Sequence, residues 1–257
     1  TLDHQNFRQR DPGKTVDDLV WLKERYGAQS FFFTDECFAL SPTKRLCQQM
    51  IDRQVNVKWT CELRFEKNLT RELLGQMRDA GCLKIVFGLE SFNQRVMDFM
   101  KKGIKQESVR RIVDDCVDLG IAVHCYVIVG FPTEKEEEAL DTMNFVVGNK
   151  KLHESYGFSC QPCLFDLEKE APIMSDPGSY GIRRIMRPAT EDLSLGFFYE
   201  VQEGMTPAQA EQLYQQVYEK ISEVVCELPF NYSMADGLLY IARAKSQALQ
   251  VPQPTGS

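Results

Sequence analysis

Four places in this chain set charged or polar side chains at the C-terminal end of a segment with strand character. Phe31-Phe32-Phe33-Thr34 leads into Asp35-Glu36, Val57 to Leu63 into Arg64, Cys82 to Leu89 into Glu90-Ser91, and Ile121 to Val129 into Gly130-Phe131-Pro132-Thr133-Glu134. Such carboxylates can hold ammonium or hydroxyl groups or exchange protons, and a guanidinium matches a carboxylate bidentately. A carboxylate after Phe87-Gly88-Leu89 is costly to bury alone, so Glu90 is expected to meet a partner. Of nine cysteines only Cys160 and Cys163 are closely spaced, and His4, His124 and His153 do not complete a zinc-like set with them. The thiols read as small core residues, His124 as structural, and Lys101-Lys102 as a solvated helix end.

The elements that position these groups alternate in type. Thr15 to Tyr26 has helical apolar spacing with Thr15 as cap and Gly27 as stop, and Ser41-Pro42 opens a second helix to about Gln54. Further helices are expected over 70–80, 106–119 and 134–147, and strands over 30–34, 57–65, 82–91, 121–130 and 156–164. Strands separated by single helices imply parallel pairing and right-handed crossovers, hence an α/β sheet or barrel. All four polar sites then fall at C-terminal strand ends, the rim where such folds bind ligands. Beyond Glu168 the character changes: 171–187 reads as loop, Thr206-Pro207 opens a helix to about Leu228, 234–248 reads as a last helix and 251–257 as a disordered tail. The expected division is a barrel over 1–168 and a mostly helical extension over 169–250.

The chain has 257 residues, 43% hydrophobic and 26% charged, enough apolar material for a large core. Its 30 basic and 37 acidic side chains give a net charge of −7, so no nucleic-acid partner is expected. No apolar run approaches membrane-spanning length and no signal-like segment opens the chain, so the expectation is a cytoplasmic protein without a membrane partner.

The polar strand ends also fit a family pattern. FFFTDECF (31–38), WTCELRF (59–65), LLGQMRDAGCLKIVFGLESFNQRVMDFMKKG (73–103), GIAVHCYVIVGFPTEKEEEALDT (120–142) and the lead-in FRQRDPGKTVDDLVWLKERYG (7–27) resemble the radical S-adenosylmethionine (SAM) enzymes. The likeness is strongest to the group that often carries a cobalamin-binding domain and to methylthiotransferase-like members. It implies a partial (βα)6 TIM-like barrel binding SAM across its C-terminal rim. On that analogy Asp35-Glu36 lies by the methionyl amino group, and Arg64 neutralises the carboxylate. Glu90 and Ser91 bind ribose hydroxyls or the methionyl end, the Val127–Gly130 backbone (Ile128 included) edges the adenine, and Gly130 admits the ligand closely.

One departure matters. The family's chemistry uses a [4Fe–4S] cluster held by three cysteines spaced by three and then two residues, and no cysteines here have that spacing. The segment TLDHQNFRQRDP resembles the stretch directly after the family's third cluster cysteine, as though the first strand and cluster loop were missing, and five strands are found where six are expected. The polypeptide as given is therefore expected not to cleave SAM reductively. Three readings stand: part of a radical SAM enzyme, active only with its cluster segment; a non-catalytic barrel scaffold or partner subunit; and an unrelated βα-barrel enzyme using Glu36 and Glu90 as acid and base. The substrate is not specified, and any cobalamin domain would lie outside this chain.

Overall fold

The computed structural model describes residues 9–35, 38–154, 158–187 and 196–224. Helix α1 (Pro12–Tyr26) is capped by Asp11, whose carboxylate accepts from the Lys14 N–H at 3.2 Å. The helix starts earlier than expected because Asp11-Pro12 is a stronger start signal, and the Thr15 hydroxyl instead donates to the Asp11 carbonyl. Next along the chain are β1 (Ser30–Phe32), α2 (Leu40–Asp52), β2 (Lys58–Leu63), α3 (Arg71–Asp79), β3 (Cys82–Glu90), α4 (Gln94–Phe99), α5 (Gln106–Asp118), β4 (Ala122–Val129), α6 (Glu136–Gly148), α7 (Lys150–Glu154) and β5 (Ser159–Leu164).

The five strands pair in chain order, all parallel, and curl into a half-barrel clothed by helices. Strand alternation divides their side chains between two faces. Trp59, Cys61, Leu63, Ile85, Phe87, Leu89, Val123, Cys125, Val127 and Val129 join the helices in one continuous core. Trp59 is completely buried, and its indole N–H donates to the Ala80 carbonyl at 2.9 Å. The opposite, concave face carries Thr60, Glu62, Lys84, Val86, His124, Tyr126, Ile128, Ser159 and Gln161, as the registers Thr60 to Lys84, Val86 to His124 and His124 to Ser159 require.

After the barrel the structure departs from the expected loop. β6 (Leu167–Glu168), β7 (Ile182–Met186) and β8 (Gly196–Val201) form an antiparallel sheet in the order β6-β8-β7, with 3-10 turns at Pro172–Ser175 and Pro177–Tyr180. This sheet packs its own small core around Leu167, Ile173, Ile182 and Tyr199. Dense Pro and Gly hid it, because its pairing joins distant segments rather than following local periodicity. Helix α8 (Pro207–Val224) buries Ala210, Leu213, Val217 and Ile221 against the barrel layer. The expected helix 234–248 and tail 251–257 lie outside the described residues. Among the described residues no helix is long and apolar enough to cross a membrane.

The turn after β4 locks barrel to extension. Gly130 takes φ 85°, and a Cβ there would overlap the Ala210 Cβ of α8. Its N–H donates to Glu134 Oε2 at 2.7 Å, and the Glu134 carbonyl accepts from the Met205 N–H at 2.8 Å. Thr133, at φ 73°, is clamped by Arg95, which donates to its carbonyl at 2.8 Å and its hydroxyl at 3.2 Å while also pairing with the Glu138 carboxylate. Glu134 has no exposed surface, and its Oε1 meets no partner among the described residues. Burial pushes its carboxyl up to about 8, against the pull of the Gly130 N–H.

This turn can be tested in two ways. Gly130→Ala is expected to cost about 2–4 kcal/mol in urea unfolding, from the left-handed backbone and from overpacking on Ala210. Adding Ala210→Gly relieves only the overlap, so recovery is partial; a cost near zero for Gly130→Ala contradicts the close approach. For Glu134 the folded chain keeps its proton to about pH 8 and the unfolded chain only to the ordinary 4.5, so stability declines as pH rises through that window. Glu134→Gln removes the decline, leaving stability near pH 4.5 little changed and raising it at pH 8 by an amount on the order of 1–3 kcal/mol. An unaltered pH slope in that variant contradicts a buried neutral carboxyl.

Candidate functional site

Because β1 to β4 run parallel, the residues directly after them leave the sheet along one edge. Asp35, Arg64, Glu90 and Gly130 all stand there, on four neighbouring strands. They share the edge but not one cavity. Asp35 is exposed and lines a cleft of about 230 Å³ with Arg10, Phe33, Phe38 and Thr43. Arg64 is exposed, forms no ion pair among the described residues, and borders a second, much smaller hollow with Gly88 and Lys102. Glu36 lies outside the described residues.

Glu90 is the most constrained member. The β3–β4 register shifts between Gly88 and Glu90, and Glu90 takes φ 61°, a left-handed conformation that non-glycine residues rarely hold without surrounding restraint. Its carboxylate folds back over Gly88, where a Cβ would sit 2.7 Å from Oε1, so a larger residue at 88 would make the carboxylate shift from this position. Lys102 Nζ donates to the same Oε1 at 3.1 Å, and among the described residues no donor meets Oε2. Lys102 is therefore a rim residue rather than the solvated helix end its sequence suggests, and no local spacing links it to Glu90.

Two expected site residues are occupied differently. Ser91 is fully buried: its hydroxyl is 3.3 Å from Thr142 Oγ1 on α6 and accepts from the Asn93 N–H at 3.1 Å, tying the strand end to the helix layer. The left-handed step at Glu90 turns the chain there. At Gly130 the position a Cβ would take is filled by Ala210 of α8. Ile128 is half-buried on the concave face opposite Cys163.

The described residues do not fit an iron–sulfur cluster. No three His, Cys, Asp or Glu side chains among them are grouped to hold a metal. Cys160 pairs with Cys125 and Cys163 with Ile128, so the close pair falls on opposite faces of β5. Cys47, Cys61, Cys82, Cys116 and Cys125 are buried, and burial pushes the thiols of Cys47 and Cys160 up to about 12 and raises those of Cys82 and Cys125, which keeps them protonated and inert.

Comparison with known proteins identifies the family. The model of the Radical SAM superfamily matches residues 3–146, more than half of the chain. Among curated relatives, an uncharacterized methyltransferase of Pyrococcus horikoshii is 26% identical over 154 residues, 59% of this chain and 33% of the relative. An anaerobic magnesium-protoporphyrin IX monomethyl ester cyclase of Cereibacter sphaeroides is 28% identical over 195 residues, 72% of this chain and 32% of the relative. The chain thus spans about a third of the length of these relatives. Among solved structures, the radical SAM methyltransferase TsrM of Kitasatospora setae, with tryptophan and a SAM analogue bound, superposes with TM-score 0.61 at 15% identity, covering 84% of this chain and 47% of that one. Coproporphyrinogen III oxidase HemN of Escherichia coli gives TM-score 0.51 at 13% identity, covering 85% of this chain and 47% of that one. A half-barrel with its polar groups on one strand edge, matched over residues 3–146 by the family model, belongs to the radical SAM superfamily.

Proposed function

We propose that this chain supplies the SAM-binding face of a radical SAM enzyme of the methyltransferase or cyclase kind. The observation that carries the reading is the alignment of Asp35, Arg64 and Glu90 on one edge of three neighbouring parallel strands in a chain of this family. SAM supplies an activated methyl and an adenosyl group. Arg64, exposed and unpaired among the described residues, is the partner for its carboxylate, and Asp35 with Glu36 for its ammonium. Glu90, positioned by Gly88 and Lys102, offers Oε2 to the ribose hydroxyls, and the backbone of Ile128–Gly130 edges the adenine. Ser91, engaged by Thr142, holds the strand end instead of touching the ligand.

The cysteine arrangement supports a further element: cluster ligands come from residues outside this sequence, so this polypeptide alone does not cleave SAM. A cobalamin-binding domain elsewhere in the whole protein is consistent with the methyltransferase relatives and with TsrM, solved with cobalamin bound. The same cysteine arrangement is also met by the second reading, a non-catalytic barrel scaffold or partner subunit without a cluster.

Calorimetry of the full chain with SAM tests this site. We expect saturable binding that Arg64→Ala and Glu90→Ala each weaken about tenfold or more, as loss of a charge-assisted hydrogen bond implies. Ser91→Ala is expected to lower thermal stability while leaving affinity within about twofold, because its hydroxyl bonds only inside the protein. Absence of binding, or an affinity in both charge variants unchanged from that of the parent chain, refutes the site.

A further inference from the structure

The concave floor of the half-barrel, toward the N-terminal ends of its strands, holds a second polar constellation. Lys84 of β3 crosses the small Ala122 beside it on β4 and donates from Nζ to Ser159 Oγ on β5 at 2.7 Å. Ser159 Oγ is in turn 2.8 Å from His124 Nδ1. Lys84 forms no ion pair among the described residues. Two buried polar atoms on this face lack any partner among the described residues: His124 Nε2 and Thr60 Oγ1, the latter on the neighbour of Lys84 across β2–β3.

Proton counting decides what this floor can accept. A lysine ammonium only donates, so Ser159 Oγ accepts from Lys84. The one Ser159 proton then goes to His124 Nδ1; the reverse direction leaves it without a partner among the described residues. That fixes His124 as the neutral Nε2–H tautomer, with this N–H buried and unmatched. Burial and the nearby Lys84 hold the imidazole down to about 3, and burial lowers Lys84 to about 8, consistent with a cation removed from water beside a neutral ring. The unmatched groups are two protons on Lys84, the N–H of His124 and the hydroxyl of Thr60, which both donates and accepts. An acceptor-only ligand can satisfy all of them, whereas a metal cation could meet only the Thr60 oxygen and would face the Lys84 ammonium and the His124 N–H.

We propose that Lys84, His124 and Thr60 form a carboxylate-binding site on the concave floor, receiving the acidic end of the substrate. A monoanion fits better than a phosphate dianion because Glu62 stands two residues from Thr60 on the same face. Above it, Tyr126 packs edge-on against His124 at 4.7 Å between ring centroids, and burial together with Glu62 raises its phenol. Lys84 and Glu90 are six residues apart on β3, about 20 Å at the usual strand rise, so the floor and the rim grip opposite ends of an extended space. Naming the ligand as substrate rests on SAM binding at the rim; the anion site itself does not.

The test uses no SAM, so it succeeds or fails independently of the rim. The full chain labelled with 15N-histidine gives three imidazoles, His4, His124 and His153, and His124→Gln identifies the relevant one by its loss. We expect His124 to be neutral and Nε2-protonated at pH 6. Propionate should shift its Nε2 signal saturably, while propionamide at matched chloride leaves it in place. Lys84→Met, which keeps the side-chain shape, should raise half-saturation at least about tenfold, as loss of a charge-assisted bond implies, and Thr60→Val should weaken binding less. An Nδ1–H tautomer, an equal response to the amide, no response to propionate, or a response that survives Lys84→Met each overturns the proposal. A stronger response to inorganic phosphate than to propionate overturns the carboxylate assignment.

Discussion

When strands run parallel and each returns through a helix on the same side, the chain has one direction of exit. Every strand then ends at the same edge, and the backbone there must leave a ladder whose last carbonyls have lost their neighbours. Charged side chains can stand at that edge at little desolvation cost, because strand ends meet water. In this chain the edge gathers Asp35, Arg64, Glu90 and the turn beginning at Gly130 from four adjacent strands. The acidic and basic groups share this edge because of strand direction, not because any local sequence brings them together.

Direction alone does not hold a side chain still. Glu90 is held by a bulge, a left-handed backbone and an ion pair to Lys102, and its carboxylate sits where a side chain at Gly88 would displace it. The next strand end is fixed from the far side of the sequence. Met205 and Ala210 press on the Gly130–Glu134 turn, and Arg95 and Glu138 grip Thr133 between them. Burial of the Glu134 carboxyl, which raises its pKa, makes the junction sensitive to pH.

Apolar runs ending in charge place Asp35, Arg64 and Glu90 at strand ends, and alternation of strands with single helices implies the parallel half-barrel, so both were legible in the sequence. Ser91 was not legible, since strand alternation extrapolated past Glu90 ignores the left-handed step that turns the hydroxyl to Thr142. The burial of Glu134 depends on segments far downstream at Met205, and the sheet of β6, β7 and β8 forms by pairings that no short window contains. Lys84 did carry a signal, a lone charge inside the apolar run Cys82 to Leu89, but its destination on β5 became visible only in three dimensions.

If separate strand ends grip one nucleoside together, they must respond to it together. Hydrogen exchange read out by mass spectrometry during a SAM titration addresses this directly. We expect amides at Thr34–Asp35, Arg64–Phe65, Leu89–Ser91 and Gly130–Phe131 to slow together, with one common half-saturating concentration. Protection confined to a single strand end, spread over the opposite end of the sheet, or absent at saturating SAM would contradict a shared grip.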